Sequence, residues 1–362
     1  MHTDKGPFRA DHVGSLLRPG SLLEIRERAT AGEVSPAELR DFEDECIAAV
    51  VKLQEEAGLQ SITDGEYRRE SFHGDFMSQV HGVEFKLAPK PSGGGPFVAV
   101  TTDKLRWPAA GIEVENFRFL NALTTRTAKQ TIPSPTMTHF RGGREAIDAK
   151  IYPDLDEFFT DLANVYRQEV AALANAGCRY LQLDDTNLAY LCDEKQRAAA
   201  AARGEDIESL PHDYAALINA SISSRPEDMA VCVHLCRGNA RGRWFAEGGY
   251  EPIADIIFNE LNIDGFFLEY DDPRSGGFEP LRFVPKGKMI VLGLLTSKRG
   301  ELEEKSLIKR RIEEAAQYID IDQLCLSPQC GFASAMQGNL LTEDEEKRKL
   351  ALIVEIAAEV WG

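Results

Sequence analysis

Short apolar runs alternate along this chain with longer stretches in which apolar residues recur at helical spacing. That alternation predicts βαβ units around a parallel sheet. One helix is marked by Ser35-Pro36, a cap followed by proline at the first helical position, and runs to Gly58. Ser61 to Glu66 follows as a strand. A second helix starts at Asp154, with Leu155, Phe158, Phe159, Leu162, Val165 and Tyr166 on one face, and stops at Ala176-Gly177 before the strand Tyr180 to Asp185. Both units share one plan: an apolar helix face, a glycine stop, then a strand ending in carboxylates.

Strands of this kind end near Ser15, Glu66, Ser134, Asp185, Cys236, Glu269, Ser297 and Cys330. Eight of them predict an α/β fold, a (β/α)8 TIM barrel formed as one catalytic domain over residues 1–362. Phe117 to Leu123 reads as a further extended segment. With the Pro/Gly-rich stretch Pro89 to Pro96 it is assigned to a hairpin excursion between strands 2 and 3. The three glycines at 93–95 lack the Lys-Ser/Thr and helix start of a phosphate loop, so a flexible hairpin tip is the better expectation.

Of the 362 residues, 43% are hydrophobic, enough for a sizeable core, and the formal charge is −18. So acidic a chain repels phosphate backbones and anionic membranes, which argues against a nucleic-acid or membrane partner. No stretch approaches the roughly 18 apolar residues of a membrane span, and Met1 to Gly6 has no apolar leader. Seven cysteines, an odd number at low density, suit the reducing cytoplasm and leave some free to act as ligands.

Barrel enzymes build their sites where the strands end, so the residues there carry most weight. In Val231-Cys232-Val233-His234-Leu235-Cys236, alternation puts His234 and Cys236 on one face. Imidazole and thiolate together suit Zn²⁺, although a core strand with an incidental pair gives the same pattern. Glu269 closes a buried-looking strand where an unpaired carboxylate is costly, and Cys330 follows Ser327-Pro328-Gln329. A structural zinc ribbon shows two close ligand pairs; ligands scattered over three strands suit a catalytic site.

His-x-Cys, a strand-terminal Glu and then Pro-x-Cys-Gly, in that order, resemble the cobalamin-independent methionine synthases. The match covers almost the whole chain, against the catalytic C-terminal half of the two-barrel enzymes. The resemblance implies His234, Cys236, Glu269 and Cys330 as zinc ligands, with an incoming thiol completing or displacing part of that set. It implies no catalytic residue beyond the metal site. Gly14-Ser15 resembles the family's Gly-Ser turn, which holds the amino-acid carboxylate. Asp64-Gly65-Glu66 and Leu181-Gln182-Leu183-Asp184-Asp185 resemble its segments whose acids bind the homocysteine ammonium, so Ser15, Glu66 and Asp184 are implied to bind substrate. Asp185 either joins them, caps the next helix or pairs with an arginine.

The implied reaction is methylation of homocysteine to methionine by an S-methyltransferase, with zinc as cofactor and 5-methyltetrahydrofolate (as its polyglutamate) or another methyl donor as partner. On the donor side this chain departs from the family. Leu294-Leu295-Thr296-Ser297 stands where the family has Asp-Ile-His-Ser. Thr136-Met137-Thr138-His139-Phe140 stands near the family's pterin-stacking tryptophan, which leaves His139 or Phe140 to substitute in part. Arg237, Arg241 and Arg243 either receive an anionic donor or form a solvated basic loop. Three rival readings share parts of the pattern: a zinc alkyltransferase for another thiol such as coenzyme M, a decarboxylase of the uroporphyrinogen type, and a non-catalytic zinc-binding protein. Trp107, Trp244 and Trp361 are expected to pack in core or loops, and Cys46, Cys178, Cys192, Cys232 and Cys325 to be small apolar or surface residues.

Overall fold

The computed structural model describes residues 6–92, 95–239 and 242–362, apart from the side chains of 87–97. Its strands are β1 (Ser61–Ile62), β2 (His81–Ser92), β3 (Gly95–Arg106), β4 (Thr127–Pro133), β5 (Tyr180–Asp185), β6 (Ala230–Leu235), β7 (Gly265–Glu269), β8 (Met289–Leu295) and β9 (Leu324–Pro328). Seven of these form one parallel sheet in the order β1-β4-β5-β6-β7-β8-β9. Strands β4 to β9 are buried almost throughout, as expected when a parallel sheet is covered by helices on one side and filled on the other.

The eighth position of the (β/α)8 barrel is filled by the extended segment 9–15. On one side it meets β9 through an Ala10–Leu326 bridge, with Asp11 N–H donating to Leu326 O (3.0 Å) and Leu326 N–H to Arg9 O (2.8 Å). On the other side, side chains replace the ladder. Ser61 Oγ donates to Asp11 Oδ1 (2.8 Å) and Thr63 Oγ1 to Gly14 O (2.7 Å). Inside the barrel Lys129, wholly buried, lies 3.2 Å from Asp11 Oδ1 and donates to His12 O at 2.6 Å. Tyr180 OH donates to the other Asp11 oxygen (2.8 Å).

The helices are α1 (Gly20–Thr30), α2 (Pro36–Ala57), α3 (Gly74–Met77), α4 (Val114–Leu123), α5 (Leu155–Asn175), α6 (Asn187–Tyr190), α7 (Glu194–Ala202), α8 (Leu210–Ser221), α9 (Ala254–Glu260), α10 (Lys305–Ala315) and α11 (Glu343–Trp361). The two sequence-marked helices form as expected. Ser35 and Glu38 make a reciprocal capping box on α2, and Gly58 ends it at φ 94°. Asp154 caps α5, which buries Phe158, Leu162, Val165 and Tyr166.

Two local expectations are corrected. Phe117 to Leu123 is helical: Val114, Phe117 and Leu120 are buried at three-residue spacing along α4. The hairpin excursion lies earlier, as the antiparallel pair β2–β3, in its expected place between the second and third barrel positions. Its tip residues Gly93 and Gly94 lie outside the described residues. The segment expected as strand Ser61 to Glu66 pairs only at Ser61–Ile62, because Gly65 and Glu66 turn the chain at φ 68° and 60°.

Two buried histidines make the fold sensitive to acid. His139, against Tyr214 OH at 2.8 Å, is held down at about 4 by burial, with Arg203 adding to the effect. His12 is likewise held down at about 4, by burial and then by Lys129. The unfolded chain protonates them near 6.5, so it binds protons that the fold refuses. Their stabilising contribution is therefore complete above pH 6.5 and falls between 6.5 and 4, by roughly 3 kcal/mol for each. Urea midpoints measured from pH 7.5 to 4.5 should show His139→Asn less stable than wild type at the upper end but declining less steeply. Parallel declines would contradict this account.

Candidate metal centre and its cavity

Strand register and rim loops bring four expected ligands together. His234 lies on β6, Cys236 one residue past its end, Glu269 closes β7 and Cys330 follows β9. All four are buried, and one ligand atom from each lies within 4.8 Å of the others. Cys236 Sγ is 3.5 Å from Cys330 Sγ. Their hydrogen bond holds Cys330 well below the usual thiol range and pushes Cys236 up.

Two observations show that the cluster suits a metal ion. Both ring nitrogens of His234 are buried without a hydrogen-bond partner, an expensive arrangement unless something else binds them. The donor set is imidazole, two thiolates and a carboxylate, which matches a soft to borderline d-block ion. Glu269 is already oriented. Its Oε1 accepts from Arg237 N–H (2.8 Å) and its Oε2 from Arg274 Nη2 (2.9 Å) and Gln329 Nε2 (3.4 Å), which leaves a lone pair free on Oε1.

The cluster opens onto a cavity of about 360 Å³. Ser15, Glu66 and Asp184 line it together with His234, Cys236 and Cys330. Asp184 is level with His234 because those residues are paired in the β5–β6 register. Burial, then repulsion from Glu66, pushes Asp184 up to about 7, and burial also raises Glu66. Two carboxylates so close in a buried wall resist ionising together, and a cation between them would relieve both costs. Glu66 is fixed by Thr131 Oγ1 (2.8 Å) and by Arg69, 3.5 Å away. Ser15 sits so tightly against Gly331 that a Cβ there would lie 1.9 Å from its hydroxyl.

The expected donor residues are placed differently. Among the described residues of the cavity wall, His139, Phe140 and Arg237 do not appear. His139 is buried between Tyr214 and Phe159, and Phe140 packs behind the wall residue Tyr190. The Arg237 side chain is fully buried, its guanidinium 4.5 Å from the Tyr250 ring centre. Arg243 does line the cavity, and Arg241 lies outside the described residues. Asp185 takes the capping role: it accepts from Leu188 N–H at the start of α6 (2.8 Å) and from Thr136 Oγ1 (2.6 Å).

Several wall residues were not singled out by the sequence pattern: Phe72, His73, Arg141, Tyr190 and Phe245. Trp244, expected to be packed away, is 48% exposed and lines the cavity, so that expectation is corrected. The available signal was position, since Arg243, Trp244 and Phe245 belong to the same rim loop as Cys236.

Fold and site together define a (β/α)8 barrel with a thiolate–imidazole–carboxylate cluster at its C-terminal rim. The chain belongs to the cobalamin-independent synthase catalytic-domain family, whose model it matches over residues 10–359. That family is one of methionine synthase-like methyltransferases. The chain is 46% identical to the Bacillus subtilis (strain 168) uncharacterized protein YxjH over 99% of its own length and 96% of the relative's. It is 24% identical to the methionine synthase of Pyrococcus abyssi, covering 88% and 84% of the two chains. A Listeria monocytogenes structure, provisionally assigned as a vitamin-B12-independent methionine synthase, superposes with a TM-score of 0.81 at 39% identity over 99% of both chains. The Shewanella B12-independent methionine synthase solved with selenomethionine shares the fold, at 18% identity and a TM-score of 0.75 over 98% of both. No helix among the described residues is long and apolar enough to cross a membrane.

Cobalt(II) offers a direct test of the cluster. The reduced protein should take up about one ion per chain and show thiolate-to-cobalt charge-transfer absorption. Cys236→Ser and Cys330→Ser should each weaken that band and the binding. A wild-type chain that takes up neither cobalt nor zinc would remove the metal reading.

Proposed function

We propose that this protein is a zinc-dependent methyltransferase that methylates the sulfur of homocysteine to give methionine, with 5-methyltetrahydrofolate or another methyl donor. The observation that carries the proposal is that one cavity is lined both by His234, Cys236 and Cys330 of the four-residue cluster and by the buried acid pair Glu66–Asp184. Zinc held by those four residues would supply a Lewis acid that keeps an alkyl thiol deprotonated at neutral pH, where a free thiol of pKa about 8.5 is mostly protonated.

The remaining work falls to the chain itself. Glu66 and Asp184 take the ammonium of an amino thiol, and the Ser15 turn takes its carboxylate, so that the sulfur is directed at the cluster. Once an ammonium lies between the acids both ionise, which fixes the substrate and releases any proton they shared. The apolar wall of Phe72, Tyr190, Trp244 and Phe245 limits water around the sulfur. Transfer of the methyl group then depends on in-line positioning.

This reading is favoured over coenzyme M because a sulfonate thiol would meet the acid pair as a like charge. It is favoured over a closed zinc-storage site because the cluster faces open cavity. The free cysteines support a reducing compartment, and we place the reaction in the cytoplasm.

The test compares homocysteine with 4-mercaptobutanoate, which lacks the amine, by zinc-edge absorption and by binding. Homocysteine should add sulfur to the zinc shell and bind the more tightly. Asp184→Asn should weaken homocysteine by roughly 30-fold or more, about 2 kcal/mol, and leave 4-mercaptobutanoate nearly unchanged. A zinc shell indifferent to homocysteine, or a loaded protein that methylates it with no donor, would sink the proposal.

A further inference from the structure

One guanidinium touches both the cavity wall and the metal cluster. Arg274 Nη2 donates to Glu269 Oε2 at 2.9 Å and lies 3.0 Å from Asp271 Oδ1, while Nη1 pairs with Asp272. The same guanidinium sits 5.0 Å from the centre of the Trp244 ring. Arg274 has a side chain only 4% exposed, whereas Trp244 is 48% exposed and lines the cavity. The indole therefore covers the Arg274–Glu269 pair and keeps the rest of its surface toward the cavity.

Such a cover has electrostatic consequences. An ion pair shielded from water is stronger and more rigid than an exposed one. The arginine itself is held by two further carboxylates, Asp271 and Asp272, and Asp271 is in turn approached by Lys298 Nζ at 3.5 Å. Arg274 is thus a fixed point, and Glu269 is oriented against it. The Arg237 N–H donates to the other carboxylate oxygen, and Gln329 Nε2 lies 3.4 Å from the oxygen that Arg274 holds.

We propose that Arg274 is the positioning residue that fixes Glu269 for metal binding, and that Trp244, stacked on it, carries the state of the cluster to the cavity wall. The inference rests on the metal reading of the cluster. Partners that orient a ligating carboxylate commonly contribute 10- to 100-fold in metal affinity. A lysine reproduces the charge but not the flat fork that meets Glu269, Asp271 and the indole face together. A ligand entering beside Trp244 also meets an indole already engaged by a cation on one face.

The test uses the full chain and reads zinc affinity by competition with a chelator, together with tryptophan emission. Arg274→Gln should bind zinc roughly 10- to 100-fold more weakly, and Arg274→Lys should recover only part of the loss. The Arg274→Gln/Glu269→Gln double variant should bind within about twofold of Glu269→Gln alone, because Arg274 acts through that carboxylate. A merely structural arginine would instead give losses that multiply. Zinc should change the emission of wild type, and Trp244→Phe should abolish the change. Trp107 and Trp361, which hydrogen-bond to Glu169 and Ile321, should remain silent. Multiplying losses, an unaltered affinity in Arg274→Gln, or an emission change that survives in Trp244→Phe would each overturn the inference. A wild-type protein that binds no zinc would remove the metal reading and this inference with it.

Discussion

The structure depends first on how the barrel closes. Segment 9–15 has a single ladder bridge, Ala10–Leu326, so backbone pairing alone cannot hold it in the eighth position. The buried Asp11–Lys129 pair adds to that hold, with Ser61, Tyr180 and the backbone N–H groups of Phe8 and His12 also donating to the carboxylate. Lys129 also lies over the Phe267 ring at 4.1 Å, inside the barrel. Breaking a buried pair typically costs about 3–5 kcal/mol because one charge is left uncompensated. Here it would also release the segment that ends in Gly14 and Ser15. That segment is where the cavity begins: Gly14 adopts φ 132° against Thr131, and Ser15 is pressed on Gly331. A polar lock near the bottom of the barrel thus sets the position of a hydroxyl at its top.

The upper rim shows the same economy of parts. Four candidate ligands come from three barrel strands and their loops, and the partners of Glu269 come from neighbouring rim elements. Arg237 supplies its backbone, Arg274 its guanidinium, Gln329 its side-chain amide (3.4 Å) and Tyr250 its hydroxyl, which accepts the Glu269 N–H at 3.0 Å. A carboxylate buried this deeply would resist ionising without such donors. Burial raises the Glu269 carboxyl, and these donors oppose that rise and fix its direction within reach of the thiols.

What the sequence made legible follows from these constraints. Strands β5 and β7 match the expected ranges because strands buried on both faces read as continuous apolar runs. The candidate ligand set was legible because alternation along β6 fixes His234 and Cys236 on one side. The same alternation explains Arg237, which follows Cys236 and so points the opposite way, into the layer containing Tyr250. Adjacency in sequence suggested a shared site, but the strand's two-residue period separates the two side chains. His139 and Phe140 fail to reach the cavity for a related reason: Pro135 to Thr138 winds into a short 3-10 turn that carries them behind the wall. Helix α4 was hidden by its own composition, since Phe117 to Leu123 contains enough apolar and aromatic residues to imitate a strand. Trp244 was illegible because a rim loop has no period from which to infer its direction.

The acid pair shows where function departs from the demands of folding. Glu66 occupies a left-handed backbone position at φ 60°, which non-glycine residues seldom adopt, and shares a buried wall with Asp184. Neither feature helps the chain fold: one strains the backbone and the other sets two carboxylates against each other. Both persist because Arg69 and Thr131 grip Glu66 while Gln182 Nε2 donates to Asp184 Oδ1 at 2.7 Å. On the proposed function, an ammonium bound between the acids would relieve this unfavourable arrangement, so part of the affinity for an amino thiol would be built in before it binds. Selectivity follows from the same source. A thiol without an ammonium could reach the cluster but would leave the acid pair unrelieved, whereas an amino thiol satisfies both ends of the cavity at once.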